Sequence, residues 1–321
     1  MQVSFIIPLY NCLPLTQAML ASLRETLPPD LDCEIILVDD GSTDGTRKWL
    51  ASLPVPCRAI LNEKNLGFAA ACNRGADAAT GEFLFFLNND LVLLPRWFEP
   101  MLGGFARLPQ AGIIGNVQLL PAGRELDHAG LVIGADGKPA HLKTLPVDSP
   151  ATLGYASMPA ATGACFAISR ELFDRLGGYD ENFKNGGEDV DLCFRASATS
   201  HTTWIALKST VLHHVSASPN RKTYDEGNSY RLFRKWRDLL EREAWRAWCE
   251  AFLIDAGAGN IPRHPQAEKA AKDFLRRQQS RPGRWAESNV RQNLLMEEVR
   301  WERMFPEASN ALATSPGFPL S

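Results

Sequence analysis

The sequence predicts an α/β protein: a mostly parallel central sheet flanked by helices, with a helical C-terminal extension. Three observations carry that expectation. Short apolar, often β-branched runs alternate with longer helix-spaced stretches over the first ninety residues. Clusters of Asp, Asn, Ser and Thr follow those runs directly, and the composition turns rich in Arg and Trp after Ser218. Short runs of this kind fit strands buried on both faces, and parallel strands need the crossovers that helices supply.

Taken in order, strands are expected at 3–7, 34–38, 57–61 and 82–87. Between them, 14–27 carries Leu15, Met19, Leu20, Leu23 and Leu27 on a helical spacing, and 68–79 is dense in alanine. Residues 115–162 hold Gly123, Gly130, Gly134 and Gly137 and read as an irregular hairpin region, with His128 and His141 inside it. A strand at 163–170, a short helix ending at Gly177-Gly178, a helix opening at Glu188 and an apolar strand at 209–212 follow. Helices are then expected at 231–256, 266–277 and 289–303, before a Pro- and Ser-containing tail expected to be disordered. The domain expectation is 1–220 for a catalytic domain, in halves of about 1–115 and 116–220, with 221–321 as the extension.

Composition narrows the class. Among 321 residues, 45% are hydrophobic and 22% charged, the profile of a globular chain. The net charge of −3, with no long block of like charges, gives no electrostatic reason to hold nucleic acid. No apolar run approaches the ~18 residues of a membrane span, and the N-terminus lacks the basic and long apolar regions of a signal peptide. A cytoplasmic chain is therefore expected. Cysteines 12, 33, 57, 72, 165, 193 and 249 are too far apart for a CxxC pair and read as buried free thiols. The 231–256 stretch, with Trp236, Trp245 and Trp248, can lie peripherally on the inner face of an anionic membrane or pack the C-terminal helices on the catalytic domain.

Ligands of open α/β sheets sit beyond the carboxyl ends of the strands. Those ends are Pro8-Leu9-Tyr10-Asn11, the run from Asp39 to Thr46, and Asn88-Asn89-Asp90. Such a set suits a ligand with many hydroxyls, a ring edge to hydrogen-bond and phosphates that need a cation. The run after the second strand also reads as a tight turn with Asp44 capping the next helix. A dinucleotide-binding dehydrogenase would need Gly-x-Gly-x-x-Gly after the first strand, where Pro8-Leu9-Tyr10-Asn11 stands instead.

These motifs, together with Asn65-Leu66-Gly67-Phe68-Ala69, Asn73 and Gly186-Gly187-Glu188-Asp189, resemble family-2 glycosyltransferases of the GT-A fold, in the rhamnosyltransferase-like branch. The likeness covers about residues 3–240. It implies an inverting transferase that moves a sugar from a UDP- or dTDP-linked donor, dTDP-rhamnose among them, to a glycan or lipid-linked glycan. By the same resemblance, Pro8, Tyr10, Asn11, Asp39, Gly67, Asn73, Asn88, Asn89 and Asp90 meet the nucleotide sugar, with Asp39 at the base. Asp189 is the implied general base with Glu188 beside it, and Asp191 is expected to cap the helix or pair with Arg195. The family's metal-closing histidine matches His213, 24 residues after Asp189, with His214 in reserve. Asp90 and His213 would hold Mn2+ or Mg2+. Asn88 replaces the first Asp of the family's Asp-x-Asp, which leaves one anionic ligand. That change also opens the alternative of a binding homologue that has lost turnover.

Overall fold

A buried apolar heptapeptide, Val3–Leu9, forms β1 at the centre of the sheet. The computed structural model describes residues 2–53, 57–146, 153–214 and 221–306. In chain order the elements are β1, α1 (Leu13–Thr26), β2 (Cys33–Asp39), α2 (Thr46–Leu50), β3 (Cys57–Leu61), α3 (Phe68–Ala78), β4 (Phe83–Leu87), β5 (Leu91–Leu93), α4 (Phe98–Arg107) and β6 (Ala111–Leu119). Then come β7 (Leu126–His128), β8 (Leu131–Ile133), β9 (Pro139–His141), β10 (Tyr155–Met158), β11 (Cys165–Ser169), α5 (Arg170–Leu176), α6 (Glu188–Ala198), β12 (Thr202–His213), α7 (Asp225–Ala258), α8 (Pro265–Leu275) and α9 (Arg284–Met304).

The ten-stranded sheet runs β10-β12-β6-β11-β4-β1-β2-β3, with β5 on β12 and β7 on β6. Strands β4, β1, β2 and β3 are mutually parallel, as are β6 and β12, while β11 joins the two sets antiparallel to both neighbours. Register makes the site edge level: Leu9 lies opposite Asp39, and Asp39 opposite Leu61. One sheet face packs Phe5, Phe85, Trp97 and Phe98, with Phe5 and Phe85 centroids 5.4 Å apart. The rings of Phe86, Phe166, Phe173 and Tyr179 form a second cluster, 5.1 to 6.2 Å apart.

The expectation of irregular chain from 115 is corrected by β6, a nine-residue strand inside the sheet. Its glycines are there for close packing and not for turns. A Cβ on Gly115 would meet Ala161 Cβ at 2.7 Å, and one on Gly112 would meet His201 Cβ at 2.6 Å. Similarly, the strand expected at 209–212 is the end of the twelve-residue β12. Helix α5 follows its sequence signals: Ser169 Oγ accepts from Leu172 N at 3.2 Å at its start, and Gly177 takes φ 78 at its end.

The chain forms two compact units, Met1–Leu131 with His141–Tyr224, and Val132–Ala140 with the chain from Asp225. In the second unit α7 kinks at Trp236 (φ −127), and Trp245 and Trp248 pack with Cys249, Phe252, Phe274 and Ala286. The Trp248 ring lies 5.1 Å from Phe252 and 5.4 Å from Trp285, so two of the three tryptophans expected at a membrane serve helix packing. Among the described residues no helix is long and apolar enough to cross a membrane. The tail 307–321 and the residues 215–218 after His214 lie outside the described residues. All seven cysteines are free; Cys72, Cys165, Cys193 and Cys249 are buried, whereas Cys12, Cys33 and Cys57 are half-buried. Burial pushes the Cys193 and Cys249 thiols up to about 12.

Candidate active site

The corner after β1 is strained. Asn11 and Cys12 both adopt left-handed backbone, φ 56 and 59, a conformation that costs a non-glycine residue about 1 kcal/mol or more. The run after β2 holds it there. Asn11 N donates to Ser42 Oγ at 2.7 Å, Thr43 N donates to Asn11 Oδ1 at 2.8 Å, and Leu13 N donates to Asp44 Oδ2 at 3.0 Å. Asp44 also accepts from Thr46 N and Oγ1, one residue ahead of the N-cap position at Gly45. The tight-turn reading of this run is therefore realised, with Asp44 bonded to the start of α2. Asn89 Nδ2 donates to Thr16 Oγ1 at 2.9 Å and to Asn11 O at 3.4 Å, which ties the β4 loop to the same corner. Tyr10 is 40% exposed at this edge, and Pro8 and Asn88 are partly exposed.

Asp39 and Asp40 are both buried, and each is fully engaged by the protein itself. Asp40 accepts from Asn62 Nδ2, Leu66 N and Gly67 N at 2.8 to 2.9 Å, which fixes the loop leading into α3. Gly67 takes φ 98 there. Asp39 accepts from Arg47 Nε at 2.7 Å and from Ser42 N at 3.3 Å, and its side chain is 0% exposed. The carboxylate expected to meet the base thus stands behind the chain's own guanidinium. Arg47 also donates to Asn62 O, and Arg74 to Asn62 Oδ1. Arg47 and Asn62 were not singled out from the sequence, although Asn62 directly follows β3 and the strand-end rule reaches it.

At the end of β12, His213 Nε2 faces Asp90 Oδ1 at 3.3 Å. Asp90 is 8% and His213 2% exposed, yet Asp90 Oδ1 and both ring nitrogens of His213 have no hydrogen-bond partner. Buried polar atoms are rarely left so. A carboxylate oxygen beside an imidazole nitrogen is the donor set of a divalent cation, and these orphaned atoms fit one. His214 contributes its backbone, donating to Asp90 O at 3.0 Å.

The carboxylate triplet opens α6 as its sequence suggests. Asp189 Oδ2 accepts from Gly163 N and Oδ1 from Val190 N, each at 2.8 Å. The neighbouring Ala164 O accepts from Asn88 N at 2.8 Å, so one short stretch before β11 anchors both Asp189 and the Asn88–Asp90 loop. Glu188 Oε2 accepts from Gly186 N at 2.7 Å. Asp191 pairs with Arg195 at 2.8 Å, and Arg195 also donates to Leu176 O and Gly178 O, a buried structural knot. Asn73 is likewise engaged: its Nδ2 donates to Tyr179 O and Glu181 Oε1, and its Oδ1 accepts from Tyr179 N. The expectation that Asn73 meets a nucleotide meets a side chain already spent on joining α3 to the segment before α6.

Elsewhere in the same unit, Asp127, His128 and His141 converge. Burial, reinforced by His141, pushes the His128 imidazole down to about 3.

The family model described as glycosyl transferase family 2 matches residues 4–177. The O-antigen biosynthesis protein RfbC of Myxococcus xanthus is 32% identical over 280 residues, which cover 83% of this chain and 21% of that protein. The chain thus spans about a fifth of that relative. The N-acetylglucosaminyl-diphospho-decaprenol L-rhamnosyltransferase of Mycobacterium tuberculosis is 27% identical over 238 residues, covering 66% of this chain and 76% of the relative. A crystal structure of GalNAc-T7 with UDP, GalNAc and Mn2+ superposes with a TM-score of 0.62 at 16% identity, over 99% of this chain and 58% of that one. The fold is accordingly of the GT-A type.

Proposed function

The chain belongs to glycosyl transferase family 2, and on that premise we propose that it moves a sugar from a nucleoside diphosphate sugar to a hydroxyl of a glycan or lipid-linked glycan, with inversion. One observation carries the reading: Gly163 N holds Asp189 while Ala164 O holds the loop of Asp90, which brings a carboxylate bonded only by backbone N–H groups and the Asp90–His213 pair to one region of the sheet edge.

In this reading Asp189 takes the proton of the acceptor hydroxyl as that oxygen bonds the anomeric carbon and the bond to the diphosphate oxygen breaks. Its two backbone donors fix the carboxylate's orientation and leave lone pairs for the incoming proton. Asp90 and His213 would hold Mn2+ or Mg2+, which supplies positive charge to the diphosphate. The single carboxylate makes diphosphate oxygens necessary partners in that site, so metal and donor bind together. For the donor base, a carbonyl of uracil or thymine suits the half-exposed guanidinium of Arg47, which Asp39 holds from behind. The relative named as an L-rhamnosyltransferase supports rhamnose as the sugar moved.

The reading is tested by incubating the protein with UDP- and dTDP-sugars and a polyprenyl-diphosphate-linked acceptor in Mn2+. Acceptor-dependent release of nucleoside diphosphate is expected. Donor binding with no release under any of these conditions would instead identify a binding homologue, the alternative that Asn88 raises.

A further inference from the structure

We propose that Asp127, His128 and His141 form a second divalent-metal site, separate from the Asp90–His213 pair. The hairpin builds it. Ala129 N donates to Leu142 O and Leu142 N to Gly130 O, each at 3.0 Å, so residues thirteen apart in sequence are brought side by side. The two imidazole centroids lie 4.2 Å apart. Asp127 Oδ2 is 4.0 Å from His128 Nε2, and Asp127 Oδ1 is 4.0 Å from His141 Nδ1. One donor atom from each of the three falls within 4.8 Å of the others, the one such triad among the described residues.

Two independent features point to a ligand. Asp127 Oδ2 and His128 Nε2 face each other, on side chains 6% and 0% exposed, and neither atom has a hydrogen-bond partner. Two buried polar atoms left so, in a group that can chelate, call for a bridging species. The donor set of two imidazoles and one carboxylate, with an open side at the 29% exposed His141, is that of Zn2+, Co2+ or Mn2+ with exchangeable positions. Tetrahedral bonds of about 2.0–2.2 Å place ligand atoms about 3.3–3.6 Å apart, so the triad must contract by about 1.5 Å at most to close. Gly130 N donates to His128 Nδ1 at 3.4 Å, which in the metal-free protein puts the ring proton on Nε2. Binding requires the other tautomer and gives up a contact already long for an N–H···N bond.

Lys143 occupies the same carboxylate, its Nζ 2.8 Å from Asp127 Oδ1, and its side chain is 62% exposed. It acts as a competitor that swings out when the ion enters. Strand β7 lies on β6 and β6 on β12, so the backbones of His128 and His213 stand two strand spacings apart, roughly 10 Å, and His213 adds to the downward push on His128.

The test is calorimetric titration with Co2+ alone, without nucleotide, followed by the ligand-field absorption of the complex. His213→Ala, which removes the donor site, is expected still to bind one Co2+. Adding His141→Ala is expected to weaken that binding at least tenfold, and adding Lys143→Met instead to tighten it several-fold. His141 is partly exposed, so its loss leaves the fold intact; circular dichroism confirms this in the same samples. No Co2+ binding in His213→Ala, or binding indifferent to His141→Ala and Lys143→Met, overturns the proposal and leaves a plain Asp127–Lys143 ion pair, without bearing on the transferase reading.

Discussion

Replacing Asp189 by Asn separates the chemistry of this carboxylate from its place in the fold. Asp189 is held by two donors, Gly163 N and Val190 N, one to each oxygen at 2.8 Å. Asn can satisfy only one of them, because its amide nitrogen is itself a donor facing the other. The loss of one hydrogen bond to a charged group costs about 1.5–3 kcal/mol of stability. That is a fall of about 2–5 °C in melting temperature for a chain of this size. The catalytic cost is of a different order. Removing a general base slows the step by about 10²–10⁴-fold, or about 3–5 kcal/mol of barrier, in a protein still almost wholly folded at 25 °C. The assay is steady-state release of nucleoside diphosphate, with donor affinity measured in parallel by calorimetry. Turnover within threefold of the parent, in an Asn variant shown to be folded, would refute the role given to Asp189.

Further predictions concern the surrounding groups. Asn73→Ala removes three hydrogen bonds to Tyr179 and Glu181. It should cost about 2–4 kcal/mol in urea unfolding while leaving nucleotide affinity in the folded protein within twofold; a tenfold loss of affinity at full stability would restore Asn73 to the nucleotide site. Arg47→Ala leaves the buried Asp39 carboxylate without its cation. It should lower stability by about 3–5 kcal/mol and weaken binding of free UDP or dTDP, as read by calorimetry. Glu34 is partly buried, which alone would raise its pKa, but hydrogen bonds from Ser4 Oγ and from Thr80 N and Oγ1 hold the carboxyl below its usual value of 4.5. A depressed carboxyl stabilises the fold above its unfolded pKa and loses that contribution as pH falls through the folded one. Glu34→Gln should therefore cost stability at pH 7 and much less at pH 3, and an equal cost at both would contradict the assignment.

The parallel core was legible because it is buried on both faces. Val3–Leu9 and Phe83–Leu87 are apolar runs that no other environment accommodates as well. The carboxyl-end rule then led to Asn11, Asp39 and Asp90, which with the α6 carboxylates make up most of the proposed site. Strand β6 was hidden because Gly115 opens a glycine-rich stretch that reads as irregular, while the need for glycine there is set by Ala161, far along the chain. The same separation concealed the fate of Asn73, whose partners at Tyr179 and Glu181 are more than a hundred residues on. Asp39 was readable as a site carboxylate, but a single sequence does not say that Arg47, on the following helix, folds back onto it. His128 and His141 each looked unremarkable alone; only the hairpin between them makes a pair.

The proposed transferase reading turns on a metal-dependent donor site at Asp90 and His213. It is tested most directly by thermal denaturation of the parent and of His213→Ala with UDP, dTDP, GDP or ADP, each in Mn2+, in Mg2+ or in chelator. Ligand at one hundred times its Kd adds about 2.7 kcal/mol to the native state. The account predicts a rise in melting temperature with UDP or dTDP that disappears in chelator and in the His213→Ala protein. A rise of the same size with chelator present, or one that survives His213→Ala, would contradict it.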